Sequence, residues 1–422
     1  MPDRSVIIIG GGHNGLVCAC YLAKAGYKVQ VLERRDVVGG CAVTEEFHPG
    51  FRNSVASYTV SLLNPTVTRD LKLHDHGLKI LTRPMANFLP LPDGNCLKWG
   101  GDLKQRAAEV SRFSRKDAER LPEYEAKLDV AADVLRSFVL KAPVDRGGVG
   151  GLLKMLQLAI QVGNLDRATQ TELFLMMTRS AGDLLDGFFE TNVLKALFAF
   201  DSVVGNFASP YMPGTAYVLL HHVFGEVNGQ KGQWGHAVGG MGSITQAMAR
   251  EAEARGVELT TGAEVSRVHI DEKGVREIEL SDGRTLKADI VVANVNPKLL
   301  FTQMVEADAL EASFRERMEN YRCASGTFRM NVALSELPDF TCSPGEGLHH
   351  SAGIIINPSL RYMEEAYFDA RTRGYSRKPI VEMLIPSTVD DSLAPKGAHV
   401  ASLFCQHFNP ELPDGRSWDD VR

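Results

Sequence analysis

The longest greasy region of the sequence, residues 184–204, is broken by Asp186, Glu190, Lys195 and Asp201. No stretch therefore reaches the ~18 unbroken apolar residues that a membrane-spanning helix needs. Basic residues are in deficit, with 46 Lys and Arg against 52 Asp and Glu. A formal net charge of -6 gives no electrostatic reason to expect nucleic acid or an anionic membrane as the main partner. Cysteine is sparse, with seven scattered residues and no C-x-x-C pair. That excludes a disulfide framework and suits a reducing compartment. Cys18 and Cys20 fall on different faces of a helix. His221-His222 and His349-His350, read as strand residues, point to opposite faces, so no metal site is expected. Nor is a leader expected, because Met1-Pro2-Asp3-Arg4 reads directly into a strand at Ser5. A cytoplasmic location is the expectation.

What is present begins with a nucleotide-binding unit. Val6-Ile7-Ile8-Ile9 is an aliphatic run suited to a strand buried on both faces of a parallel sheet. It ends in Gly10-Gly11-Gly12-His13-Asn14-Gly15. A helix is predicted over 16–25, stopped by Gly26, and a second strand over 28–32 carries Glu33 at its carboxyl end. Gly10 permits the tight turn, Gly12 lets backbone N–H groups approach a pyrophosphate, and Gly15 allows helix and strand to pack closely. The helix N-terminus supplies oriented N–H groups and partial positive charge to phosphates. Glu33 lies at the distance where a carboxylate accepts ribose hydroxyls and repels a 2′-phosphate.

A second glycine pair follows in Glu33-Arg34-Arg35-Asp36-Val37-Val38-Gly39-Gly40-Cys41-Ala42-Val43-Thr44. A plain NAD dehydrogenase would pass from the acid straight into its next crossover. A Gly-Gly loop here brings backbone to a second stretch of cofactor, and Arg34, Gly39, Gly40, Cys41 and Ala42 join the candidate set. Cys41 has no partner thiol nearby in sequence, which argues against a dithiol mechanism.

At 422 residues the chain is too long for one simple core and points to two closely associated domains. Short strands are predicted within 73–81, 88–91 and 96–99, with a turn at 92–95. Ser114-Arg115-Lys116-Asp117 reads as a capping box opening a helix to about Leu140, followed by a Pro/Gly-rich break over 143–151. Residues 152–205 read as greasy helix. Core packing is one account of them. A cap lining an apolar tunnel, or a face lying against a membrane surface, is the other. Residues 206–235 read as loop. Gly239-Gly240-Met241-Gly242 opens a helix over 243–255, with strands over 258–260 and 263–270, a hairpin 278–287 and a buried strand 289–294. Further strands at 327–332, 379–386 and 399–406 would form a second sheet.

This layout resembles the FAD superfamily of amine oxidases and phytoene desaturases. The resemblance is carried by Gly12-His13-Asn14-Gly15-Leu16-Val17, Glu33-Arg34-Arg35, Pro49-Gly50-Phe51, Ala56-Ser57-Tyr58, Tyr217 to His222, Gly239-Gly240-Met241-Gly242 and Val400 to Phe404. It implies an α/β chain, α+β overall. A Rossmann-like FAD-binding domain (residues 1–70 and 236–300) would be interleaved with a substrate domain of mixed sheet and helices (71–235, largely helical, and 301–422). It implies FAD as cofactor, a backbone contact of Val265 to the adenine, and Ala293 and Asn294 near the ADP. It also implies dehydrogenation or desaturation of a small apolar or lipid-like substrate, an unspecified electron acceptor, and a mitochondrial matrix location as an alternative. Two other functions stay open: a non-enzymatic binding or regulatory protein on this fold, and a redox-neutral flavin isomerase. His221, His222 and Tyr58 are catalytic candidates by position alone, and packing is the commoner role for each. Relatives usually place an arginine after the second glycine pair, where this chain has Cys41, and carry a later glycine-rich FAD segment. The expectation is that this 422-residue chain retains FAD weakly.

Overall fold

The computed structural model describes residues 4–142, 148–271, 274–323 and 325–421. Residues 143–147, within the expected Pro/Gly break, lie outside the described residues. Its first layer is a four-stranded parallel sheet, in the order Glu258–Thr260, Lys28–Leu32, Ser5–Ile9, Ile290–Ala293. Ser5–Ile9 is central, and its side chains Val6 to Ile9 are all buried, as an aliphatic run covered on both faces demands. The register pairs Ile9 with both Leu32 and Ala293. Three parallel strands therefore end level, and the residues after them, Gly10, Glu33 and Asn294, emerge at one edge.

Helix His13–Lys24 and helix Gly242–Ala254 pack together over this sheet, burying Leu16, Ala19, Ile244, Ala247 and Met248 in one core. A three-stranded sheet of Val265–Asp271, Gly274–Leu280 and Thr285–Leu286 closes the other side. Val265 sits there in a core with Ile7, Ile9 and Leu32.

The second layer is a six-stranded sheet in the order Thr327–Leu334, His399–Phe408, Tyr375–Leu384, Gly353–Ile356, Asn87–Pro90, Cys96–Trp99. It joins late strands to early ones, so this part of the molecule is built from chain segments far apart in sequence. Its cover is helical. Arg115–Val139, Ala181–Phe188, Asn192–Val203 and Leu360–Arg373 share a core centred on Tyr124, Phe188, Phe189 and Phe200.

Five expectations differ from this structure. His349 and His350, read as strand residues on opposite faces, lie in a 3-10 turn, Leu348–Ser351, that brings their ring centres to 4.0 Å, both buried. Residues 71–77 turn rather than extend, because backbone bonds Asp75 N to Lys72 O and Gly77 N to His74 O bring Leu71, Leu73 and Leu78 into one core; the strand begins only at Ile80. The segment expected as loop contains helix Thr215–Val223, which buries Ala216, Leu219 and Leu220. Gly and Pro cluster at its ends and hid its period. His221 and His222 are thus helical, and their side chains lie outside the described residues. Finally, Ser114 does cap its helix, accepting from Asp117 N, but Asp117 turns away from the reciprocal bond. Its carboxylate accepts from Glu190 N, Thr191 N and Thr191 Oγ1.

The greasy stretch divides. Residues of Ala181–Phe188 and Asn192–Val203 are core. In helix Gly148–Gly163, by contrast, Leu152, Leu153, Leu156 and Ile160 are exposed, Leu152 by 64%, and core packing does not account for them. Phe174, in helix Arg167–Thr178, is 67% exposed. Among the described residues no helix is long and apolar enough to cross a membrane.

Candidate functional site

The level strand ends make a cradle. Gly10 has φ 98°, a left-handed value that favours glycine, and a Cβ there would lie 2.7 Å from Asn294 O. At Gly15 a Cβ would meet Gly10 O at 2.3 Å and Asn294 Nδ2 at 2.9 Å. Asn294 locks the turn, taking Ile9 O with its backbone N–H and donating from Nδ2 to Gly10 O. Gly12 precedes helix His13–Lys24 and offers no side-chain cap. The first-turn N–H groups there lack intrahelical partners, and backbone amides in that position suit an anion.

Glu33 is buried, and its carboxylate accepts from Gly11 N (2.9 Å) and Arg35 N (3.0 Å). A carboxylate has about four acceptor positions, so two remain. Arg34 is exposed beside it, while Arg35 pairs with Glu45. The second glycine pair folds onto the first loop. Gly39 N donates to Gly11 O, and a Cβ on Gly40 would touch Gly12 Cα at 3.0 Å. Ala42 is buried and bonded to Thr245 Oγ1 through its carbonyl, and Cys41 is exposed. The structure thus gathers Gly10, Gly12, Gly15, Glu33, Gly39, Gly40 and Asn294 at one edge, with His13 and Asn14 exposed on the first helical turn and Ala293 exposed at the end of its strand. Partial enclosure holds the His13 imidazole below its ordinary value. Val265 belongs to the core behind this edge, its side chain buried.

A cavity of about 480 Å³ opens from that helical turn, lined by His13, Asn14 and Ala42 at one end. Its flanks are apolar: Val17, Leu63, Val67, Phe200, Ile244 and Met248. Polar groups converge elsewhere in its wall. Tyr58 donates its hydroxyl to Glu382 Oε2 and Arg83 donates to Thr59 Oγ1; Arg329, not itself in the lining, lies 4.2 Å from the Tyr58 ring centre. Burial, reinforced by the Glu382 charge, pushes the Tyr58 phenol well above its usual range. Burial lowers Arg83, with Glu382 opposing. Asp201 also lines the cavity, and burial pushes its carboxyl up to about 8. A cavity of this size with mostly hydrophobic walls and a few convergent polar groups is the general form of a small-molecule site.

Of these, only Tyr58 is a residue the sequence singled out. Arg83, Asp201 and Glu382 belong to no local motif and come together only through folding. One signal existed, since Asp201 is an acid inside an otherwise apolar helical run. Among the described residues no group of three or more His, Cys, Asp or Glu side chains is placed to hold a metal ion, and all seven cysteines are free thiols.

Known proteins share this plan. Pyridine nucleotide-disulfide oxidoreductase domain-containing protein 2 of Rattus norvegicus is 36% identical over 443 residues, covering 100% of this chain and 76% of that protein. A phytoene desaturase of Cercospora nicotianae is 28% identical over 416 residues, covering 94% of this chain and 60% of that one. Among solved structures, a putrescine oxidase triple mutant redesigned in its cofactor binding superposes with a TM-score of 0.57 at 16% identity, covering 96% of this chain and 76% of that one. That last likeness speaks for the fold. Residues 15–326 match the family described as flavin containing amine oxidoreductase, and the chain belongs to that family of flavin-dependent oxidoreductases.

Proposed function

We propose that the protein is an FAD-dependent oxidoreductase that dehydrogenates an apolar, lipid-like substrate. The observation that carries this reading is the junction of a backbone-lined cradle, closed to any Cβ at Gly10 and Gly15, with a largely apolar cavity starting at the same helical turn. Gly10, Gly12, His13, Asn14 and Gly15 would hold the diphosphate, and Glu33 with Arg34 the ribose. Gly39, Gly40, Cys41 and Ala42 would follow the flavin half. Ala293 and Asn294 would flank the ADP, and the backbone of Val265 would meet the adenine. When bound, the flavin supplies an N5 atom that accepts a hydride; its other chemistry belongs to the cofactor. The protein's own tasks are orientation and exclusion of water. The apolar walls take the substrate body, while the Tyr58–Glu382 bond and Arg83 present fixed dipoles and charge at one part of the cavity.

A phospholipid surface is the proposed partner of helix Gly148–Gly163, whose exposed leucines suit an interfacial position. Such a surface is also where a lipid-like substrate resides.

The test is to load the chain with FAD, remove oxygen and add candidate donors. Bleaching of the flavin's visible band by a polyene or lipid, and not by polar amines, is expected. Failure to take up FAD at any concentration would favour a binding protein instead.

A further inference from the structure

Arg83 lies where three cavities meet: the apolar one of about 480 Å³, a neighbour of about 490 Å³ and a small one of about 20 Å³. It is half-buried, and its surroundings do not match its charge. Nη2 donates to Thr59 Oγ1 at 2.6 Å, and Thr59 in turn donates to Gly235 O. Among the described residues that is its one hydrogen bond, and it forms no ion pair with them. A guanidinium has five N–H donors. Arg329 Nε is sealed in protein without a partner, but no nitrogen of Arg83 is both sealed and unpaired, so its remaining N–H groups open on a cavity. Burial works against the Arg83 charge, and the carboxylate that opposes this is Glu382. Asp201 also lines the cavity but is not among the charges that act on Arg83. The same Glu382 charge acts on the Arg329 guanidinium. Two cations therefore share one carboxylate in a region where burial disfavours net charge. Buried charges are ordinarily paired, and a cation short of a partner in a cavity wall marks a binding group. Asn87 lines both larger cavities together with Arg83, and its side-chain amide has no hydrogen-bond partner among the described residues.

We propose that Arg83, with the Asn87 amide of the same wall, anchors the carboxylate end of an elongated and mainly apolar ligand whose body lies along Val17, Val67, Ile244 and Met248 in the apolar cavity. Naming that ligand the substrate rests on the reading above; the anion site itself does not. The guanidinium fork matches the two oxygens of a carboxylate. One such group supplies the single negative charge that the cluster lacks. A neutral oxygen would leave the excess cation in place, an ammonium would add to it, and a phosphate dianion would overshoot it.

Trp234 lines the apolar cavity, and its ring centre lies 5.8 Å from the Arg83 guanidinium carbon, so its fluorescence reads occupancy without any flavin. The experiment titrates the chain at neutral pH with dodecanoate, dodecanol, methyl dodecanoate and dodecylamine. Dodecanoate is expected to bind at least about tenfold tighter than the alcohol and the ester, the ratio that a hydrogen bond to a charged group provides, and the amine to bind weakest. Arg83→Met keeps the reach of the side chain and removes its charge; it should bring the acid level with the alcohol without weakening the alcohol. Arg83→Lys keeps the charge and loses the fork, so an intermediate preference is expected, and it serves as the test should Arg83→Met fail to fold. Equal affinity for acid and alcohol in the parent, tighter binding of the amine, or an acid preference undiminished in either variant would each overturn the proposal. Dodecanoate held on the exposed leucines of helix Gly148–Gly163 would give the last of these outcomes, because Arg83 is not part of that surface. If dodecanoate binds as stated but unsaturated acids fail to bleach bound flavin without oxygen, the anion site stands and the oxidoreductase reading fails. If a neutral polyene bleaches the flavin while acids show no preference, the reverse holds.

Discussion

At the scale of single residues, the cradle depends on atoms that are not there. Gly15→Ala would force a methyl to within 2.3 Å of Gly10 O, an oxygen held by Asn294 Nδ2. Overpacking of this kind costs about 1–3 kcal/mol. The expected result is a lower urea midpoint together with reduced flavin retention, whereas Gly26→Ala, with open space around it, should show only the strain of its φ of 91° and keep flavin binding. A second residue acts through charge. Asp390 is buried, and that burial alone would raise its pKa. It is outweighed by hydrogen bonds from His236, Ser392 and Gly239 N, which hold the carboxyl well below the usual range. A depressed folded-state pKa means stability that is present above the unfolded value near 4 and is lost as pH falls toward the folded one. Asp390→Asn should therefore lower unfolding free energy by about 3 kcal/mol at pH 7, and the gap to the parent should shrink as denaturation is repeated at pH 4 and below. A gap that does not change with pH would contradict this.

At the scale of elements, Asp117 shows how one helix is pinned by another. Its carboxylate, fully buried, pins the two residues that lead into helix Asn192–Val203 by accepting from Glu190 N, Thr191 N and Thr191 Oγ1. Asp117→Ala leaves three donors unpaired and should cost about 3 kcal/mol in urea unfolding. Lys116→Ala, at an exposed pair with Glu190, should change it by less than about 0.5 kcal/mol. The elements that were legible are those where period and punctuation agree, such as Val6 to Ile9 before three glycines, or Gly239 to Gly242 before an amphipathic run; strand Gly353–Ile356 and helix Leu360–Arg373 had no such signal. Helix Thr215–Val223 was not legible, because Pro210, Pro213 and Gly214 stand before it and Gly225 after it. Its stability comes from packing on helix Asn192–Val203, which local propensity does not register.

At the scale of the molecule, both main sheets join chain segments far apart in sequence, and the apolar cavity is lined from several of them. The exposed helix Gly148–Gly163 tests the proposed membrane contact. Replacing Leu152, Leu156 and Ile160 together by Gln should leave the thermal midpoint nearly unchanged, since these side chains are exposed. Cosedimentation with phosphatidylcholine vesicles should fall to background. A large drop in midpoint would show that the helix is part of the folded core instead.

The sequence by itself determined the glycine-lined edge proposed to hold the cofactor. A strand, three glycines, a helix and an acid lie within one short contiguous stretch, where backbone sterics and strand spacing leave few arrangements, so Gly10, Gly15 and Glu33 could be placed by counting. Only the tertiary structure decided the apolar cavity. Tyr58, Arg83, Asp201 and Glu382 come from segments up to 324 residues apart, as the Tyr58–Glu382 bond illustrates. Their chemistry arises from burial and mutual approach, which are properties of packing that local residue order marks only at Tyr58, within a family-like segment, and at Asp201, an acid inside an apolar run.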